Sequence, residues 1–205
     1  MMQPMELFFA PTSPYVRKVM ACAIELGVED KIICLPSAAN PIKRDTRIAT
    51  FNPLAKVPAA RLEDGTFLFD SRVICEYLND AAGGSLFTSG SARWRVLTEQ
   101  ALGDGLLDAA LLARYEETSR TPDQRSEVWR ESQMTKIDAA LDHMEETVEI
   151  FGTEVTIGSL TIASSLGYLD FRFSGVDWRS PRPKLASWYA DFILRPSMSR
   201  TAPHE

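Results

Sequence analysis

Two hydrophobic spacings alternate in the first part of the chain, and only one of them survives in the second. Leu7 to Ala10 is a short apolar run of the kind a buried strand makes. Pro14 to Leu26 carries apolar residues at helical spacing, and Gly27 stands just past its end, where a left-handed residue closes a helix. Lys31 to Leu35 predicts a second strand, and the polar segment Ser37 to Asn52 has room for a short helix. Ala59 to Leu62 and Phe67 to Phe69 flank Glu63-Asp64-Gly65-Thr66, whose Asp-Gly pair predicts a hairpin turn. Ser71 to Ala81 predicts a helix with Val73, Ile74, Tyr77 and Leu78 on one face. The order β-α-β-α-β-β-α predicts an α/β domain over residues 1–82.

Gly83-Gly84-Ser85 and Ser89-Gly90-Ser91 predict a linker over residues 83–91. Beyond it no strand spacing returns. Helices are predicted over Ala92 to Glu117, Pro122 to Phe151, Ile157 to Phe173 and Pro183 to Leu194, giving an all-α domain over residues 92–205. The third is apolar nearly all round, so it belongs at the centre of that domain.

Composition narrows the function. The chain has 205 residues, 45% hydrophobic and 24% charged, which is ordinary for a globular protein. A net charge of −6 argues against nucleic acid as the main partner, because phosphate binding needs a basic surface. Met1 to Met5 lacks the basic and apolar regions of a secretory signal. The longest apolar stretch, Ile157 to Leu169, is interrupted by Ser159, Thr161, Ser164 and Ser165 and is short for a membrane span. Cys22, Cys34 and Cys75 are widely spaced, which suits reduced thiols in a cytoplasm better than a disulfide framework or a zinc site. With only His143 and His204 present, a histidine triad or metal cluster is not expected.

Three places carry candidate chemistry. Ser13-Pro14-Tyr15-Val16 stands between the first strand and first helix, where a redox protein would carry Cys-x-x-Cys. Ser13 is either a plain helix cap before Pro14 or a hydroxyl that faces a ligand sulfur beside the helix N-terminus. Val57-Pro58 leads into the hairpin. It is either an ordinary strand-entry proline or a cis bond that turns the Val57 backbone outward toward a peptide-like ligand. Asp70-Ser71 opens the next helix as a cap, as a clamp for an α-amino acid end group, or as both. A sulfur-facing hydroxyl, a peptide-pairing backbone and an amino-acid clamp together describe a site for a small thiol peptide.

At these residues the chain resembles the cytosolic glutathione transferases, with the likeness running from Met5 to the C-terminus. Its most specific part is Asn-Pro-Leu-Ala-Lys-Val-Pro at 52–58, followed by Phe-Asp-Ser at 69–71 and Ile-Cys-Glu-Tyr-Leu at 74–78. Thr-Ser-Pro-Tyr-Val-Arg-Lys at 12–18 resembles the serine-type and tau-like bacterial members. Leu-Gly-Tyr-Leu-Asp-Phe-Arg at 166–172 and Pro-Lys-Leu-Ala-Ser-Trp at 183–188 resemble the helical domain.

The resemblance implies a thioredoxin-like N-terminal domain, an all-helical C-terminal domain, a homodimer and a cytoplasmic location. It implies glutathione as co-substrate, without a metal, and a small hydrophobic electrophile as acceptor. Ser13 would be the catalytic hydroxyl, Val57 would pair with the cysteinyl part of glutathione, and Asp70 and Ser71 would hold its γ-glutamyl end. Lys43 or Lys56 would meet the glycine carboxylate, the alternative for both being a solvated surface lysine. The acceptor would meet the turn around Pro11 and Thr12 and the helix at 92–117, with Leu106, Leu107 and Tyr115 as candidates or as core residues.

Two departures from the family pattern stand out. The first strand reads Leu7-Phe8-Phe9, so a catalytic tyrosine there is excluded. The central helix opens Thr156-Ile157-Gly158-Ser159, with Ser159 where the family's capping box has an aspartate. A weaker cap and a helix-interior glycine predict a less stable central helix, by about 1 kcal/mol each. Thiol reduction remains a second enzymatic reading, opposed by Ser13, and a non-catalytic binding or regulatory protein on the same fold is a third.

Overall fold

The computed structural model describes residues 2–152 and 154–205. They form two units: residues 2–90 together with Pro196–Glu205, and Ser91–Arg195.

The first unit is built on four strands, β1 (Met5–Phe9), β2 (Ile32–Pro36), β3 (Ala60–Leu62) and β4 (Phe67–Leu68), in the order β2-β1-β3-β4. β1 runs parallel to β2, and β3 is antiparallel to both β1 and β4. The helices of this unit are α1 (Pro14–Glu25), α2 (Thr46–Phe51) and α3 (Ser71–Ala82). Alternation along β1 sorts the layers. Phe8 packs with Ile48 and Phe51 of α2 and with Ala59, its ring centre 4.7 Å from that of Phe51. Met5 and Leu7 point the other way and are fully buried.

On α3, Ile74, Cys75 and Leu78 are buried with Ser71, whereas Val73 is 46% exposed. The apolar face predicted from Val73 is therefore turned by about one residue, because Cys75 takes the buried position beside Cys22 of α1.

The last residues differ from expectation. The helical domain was expected to run to 205, but Pro196–Glu205 belongs with the sheet unit. The short helix α8 (Pro196–Ser199) lies on α1, where Arg17 donates to the Met198 carbonyl at 3.1 Å. Ser197 bonds Glu25, and Arg200 pairs with Glu29 at 3.1 Å. Arg17, Lys18 and Met198 are all buried as a result.

The second unit contains α4 (Ala92–Thr118), α5 (Glu127–Thr147), α6 (Ile157–Arg172) and α7 (Pro183–Phe192). The helix expected over Pro122 to Phe151 is broken in two, since Ser126 caps a fresh start by accepting from the Trp129 N–H at 3.3 Å. α6 is buried through Leu169, as its uniform apolarity predicts.

The expected weakness of α6 is corrected on both counts. Ser159 closes the capping box: its N–H donates to Thr156 Oγ1 at 3.1 Å, and its hydroxyl accepts from the Thr156 N–H at 2.9 Å. Gly158 is where α4 comes closest, for a Cβ there would lie 2.7 Å from Glu99 Cβ and 2.9 Å from the Val96 carbonyl. The glycine permits a close approach that any side chain would obstruct.

Candidate functional site

Sheet register gathers the three candidate segments at one end of the first unit. Leu7 of β1 pairs with Ala60 of β3, and Ala60 pairs with Leu68 of β4. Because β3 is antiparallel to both neighbours, its entry lies beside the exits of β1 and β4. The exit of β1 leads to Ser13, the entry of β3 is Val57-Pro58, and the exit of β4 leads to Asp70-Ser71.

Ser13 caps α1, with its Oγ accepting from the Val16 N–H at 3.3 Å and Pro14 in the first helical position. That bond uses an acceptor lone pair only. The hydroxyl hydrogen is donated to no described residue, and the side chain is half-exposed. A serine in this state can cap its helix and donate to a ligand at once.

The Val57-Pro58 peptide is cis. Neither the N–H nor the C=O of Val57 is taken by a described residue, although the next carbonyl pair is engaged, Ala59 accepting from the Phe8 N–H at 2.9 Å. Asn52 braces the approach by donating to the Lys56 carbonyl at 3.0 Å and accepting from the Leu54 N–H at 3.0 Å.

Asp70 caps α3, accepting from the Arg72 N–H at 2.9 Å, and remains exposed. Its second carboxylate oxygen is left for other donors. Ser71 is buried in the first position of α3, and its hydroxyl bonds to no described residue. Helix N-terminal N–H groups and a carboxylate thus stand side by side, which suits a ligand that carries both charges.

The remaining candidates divide. Lys43 and Lys56 are exposed, and the structure gives neither side chain a partner among the described residues. Leu106 and Leu107 are core residues of the helical unit, while Tyr115 is half-buried. Two of the three cysteines, Cys22 and Cys34, are not activated. Cys22 is buried, donates to the Cys75 carbonyl at 3.8 Å, and is held well above the usual thiol range by Cys75 and by burial. Partial burial also pushes Cys34 up.

One feature beside this sheet end was missed by sequence reading. A groove of about 360 Å³ is bounded by Phe9 and Pro11 after β1, by Arg17 on α1, and by Arg200 and His204 from the C-terminal residues. The adjacent charges Arg17-Lys18 inside an otherwise apolar helix were its only sequence signal.

A mixed four-stranded α/β unit followed by a separate helical unit defines a thioredoxin-like domain joined to an all-helical one. The chain matches the descriptions "Glutathione S-transferase, N-terminal domain" over residues 12–81 and "Glutathione S-transferase, C-terminal domain" over residues 127–191. It is similar to a glutathione transferase family member from Pseudomonas fluorescens Pf-5 with bound glutathione, at 42% identity and a TM-score of 0.95, covering 98% of this chain and 100% of that one. A structure from the same source with bound S-(propanoic acid)-glutathione aligns at 41% identity and a TM-score of 0.91, with coverage of 98% and 100%. The "Uncharacterized GST-like protein YibF" of Escherichia coli (strain K12) is 34% identical over 97% of this chain and 98% of its own length. The protein belongs to the glutathione S-transferase family.

Proposed function

We propose that the protein conjugates the glutathione thiolate to a small hydrophobic electrophile, with Ser13 as the hydroxyl that stabilises the thiolate. The unspent hydroxyl hydrogen of Ser13 at the start of α1 carries this reading. The glutathione held by the Pseudomonas relative supports it, and the S-substituted glutathione held in the second structure supports room beyond the sulfur.

The energies suffice. A free thiol with a pKa near about 8.5 is mostly protonated at neutral pH. Lowering it by about two units needs roughly 2.7 kcal/mol of differential stabilisation. A hydrogen bond to charged sulfur contributes about 1.5–3 kcal/mol, and the helix N-terminus about 0.3–1 kcal/mol. The serine remains a donor to the nucleophile and never becomes the nucleophile itself. Val57 pairs its backbone with the cysteinyl part, Asp70 accepts from the γ-glutamyl ammonium, and Ser71 with the α3 N-terminus takes the carboxylate. Lys43 or Lys56 meets the glycine carboxylate. The same reading has the protein work as a cytoplasmic homodimer, for which exposed Leu54, Val73 and Trp94 are apolar surface available to a second copy.

Titration of the bound thiol by its ultraviolet absorbance tests the proposal. The expected result is a thiol pKa about two units below the free value in the complex, lost in Ser13→Ala. Glutathione bound with an unshifted thiol would overturn the transferase reading in favour of a binding protein.

A further inference from the structure

We infer that Asn52 is a positioning residue for the thiol peptide: its buried amide holds the Lys56 carbonyl and thereby aims the Val57 N–H at the cysteinyl carbonyl of the ligand. This role rests on the pairing of Val57 with the cysteinyl part proposed above and adds what directs that pairing.

Asn52 is only 2% exposed, and every polar group it carries is engaged. Its N–H donates to the Ile48 carbonyl at 2.9 Å, and its own carbonyl accepts from the Ala55 N–H at 2.8 Å. Its Oδ1 accepts from the Leu54 N–H at 3.0 Å, and its Nδ2 donates to the Lys56 carbonyl at 3.0 Å. The two side-chain partners fix which end of the amide is which, since a backbone N–H can only donate and a carbonyl can only accept. The residue stands at the end of α2, whose Ile48 and Phe51 pack with Phe8 and Ala59. The grip on Lys56 is therefore anchored in the core of the unit.

Ala55 is the second, independent sign that this segment is built for a purpose. It lies at φ +54°, a left-handed conformation that residues with a Cβ seldom take. The bonds from Asn52 to Leu54, Ala55 and Lys56 close around it. Such a conformation persists where its surroundings hold it, and it concentrates at ligand clamps.

One peptide plane carries the effect. The Lys56–Val57 bond is trans, and in a trans peptide the carbonyl and the following N–H point to opposite sides. Holding the Lys56 carbonyl toward buried Asn52 turns the Val57 N–H away from it. That N–H has no partner among the described residues, so it is free to donate to a peptide-like ligand. A donor already aimed loses less freedom when the ligand arrives. Ser13 acts on the sulfur, whereas Asn52 acts on the backbone of the ligand, so the two roles separate affinity from thiol activation.

The test uses the full chain with glutathione as the probe. The Val57 amide resonance of the wild type should shift on saturation with glutathione. It should shift much less in Asn52→Asp, which still accepts from the Leu54 N–H but offers the Lys56 carbonyl no hydrogen at neutral pH. By calorimetry that variant should bind glutathione about tenfold more weakly, with KM for glutathione rising in parallel and kcat changing less than about twofold. Lowering the pH protonates the new carboxyl, whose burial raises it above the ordinary value of about 3.9, and its O–H can then donate to Lys56. The deficit relative to the wild type at the same pH should therefore shrink as the solution is acidified. Asn52→Ser, too short to reach Lys56 and without a titrating group, should keep its deficit at every pH. Variants that melt earlier yet bind glutathione like the wild type, a deficit in Asn52→Asp that ignores pH, or failure of both variants to fold would overturn the role. A wild-type Val57 signal unmoved by bound glutathione would overturn it together with the Val57 contact. Asn52-dependent binding reported by Val57, without turnover of any electrophile, would uphold the role and overturn the transferase reading.

Discussion

The starts of α1 and α6 are both capped by a hydroxyl residue, yet they are finished differently. At α6 the box between Thr156 and Ser159 is reciprocal and buried, and the Ser159 hydroxyl also donates to the Thr156 carbonyl at 3.0 Å. At α1, the Ser13 hydroxyl accepts one bond and donates none to a described residue, and the residue stays half-exposed. The contrast separates two uses of one chemical device. A cap with all its hydrogen-bonding capacity consumed serves the fold, while a cap with capacity left over can serve a ligand as well.

The largest expected effect probes the open start. Ser13→Ala should lower turnover by roughly 10- to 150-fold, the loss of one hydrogen bond to a charged sulfur, while glutathione affinity stays within several-fold. Steady-state rates beside calorimetric binding would show it, and loss of affinity with turnover per bound complex unchanged would erase the contrast. At the closed start, Gly158→Ala should cost about 1–3 kcal/mol in urea unfolding, because the new methyl meets Glu99 and the Val96 carbonyl. Asp70→Asn keeps a good cap for α3 but removes the charge, so glutathione should bind about tenfold more weakly with the melting temperature nearly unchanged. Thr156→Ala should cost about 1 kcal/mol of stability without touching glutathione binding.

The smallest effect is a pH dependence beside the same closed start. Burial raises the Glu99 carboxyl pKa, against the opposing pull of Arg95. A raised folded-state pKa means that the carboxyl favours the folded state at low pH and loses that contribution as pH rises through the folded value. Wild-type stability relative to Glu99→Gln should therefore be greatest below about pH 4.3, the ordinary glutamate value, and decline above it. Denaturation midpoints across that range would check the sign, and a difference that grew with pH would reverse it.

Much of this was legible in residue order because the relevant signals are local. The Asp64-Gly65 turn marked the hairpin, the spacing from Pro14 marked α1, and Ser13 and Asp70 are caps in sequence as in structure. Their meeting at one sheet end also follows from order, once β3 is antiparallel to both neighbours. What escaped depends on packing across distance. Gly158 reads as a helix defect until α4 lies against it, and Val73 reads as core until Cys75 claims the position beside Cys22.

The seating of α8 on α1 has a consequence for synthesis. Arg17 and the Met198 carbonyl are 181 positions apart, so the amino-terminal unit cannot complete its own surface while the helical unit is still being translated. The half that emerges first is finished by residues that follow the whole helical unit, and until then α1 exposes a face destined for burial. Vectorial folding of this chain is therefore a loop that closes on its beginning, with the helix that Ser13 caps gaining its last cover only when Arg200 has left the ribosome.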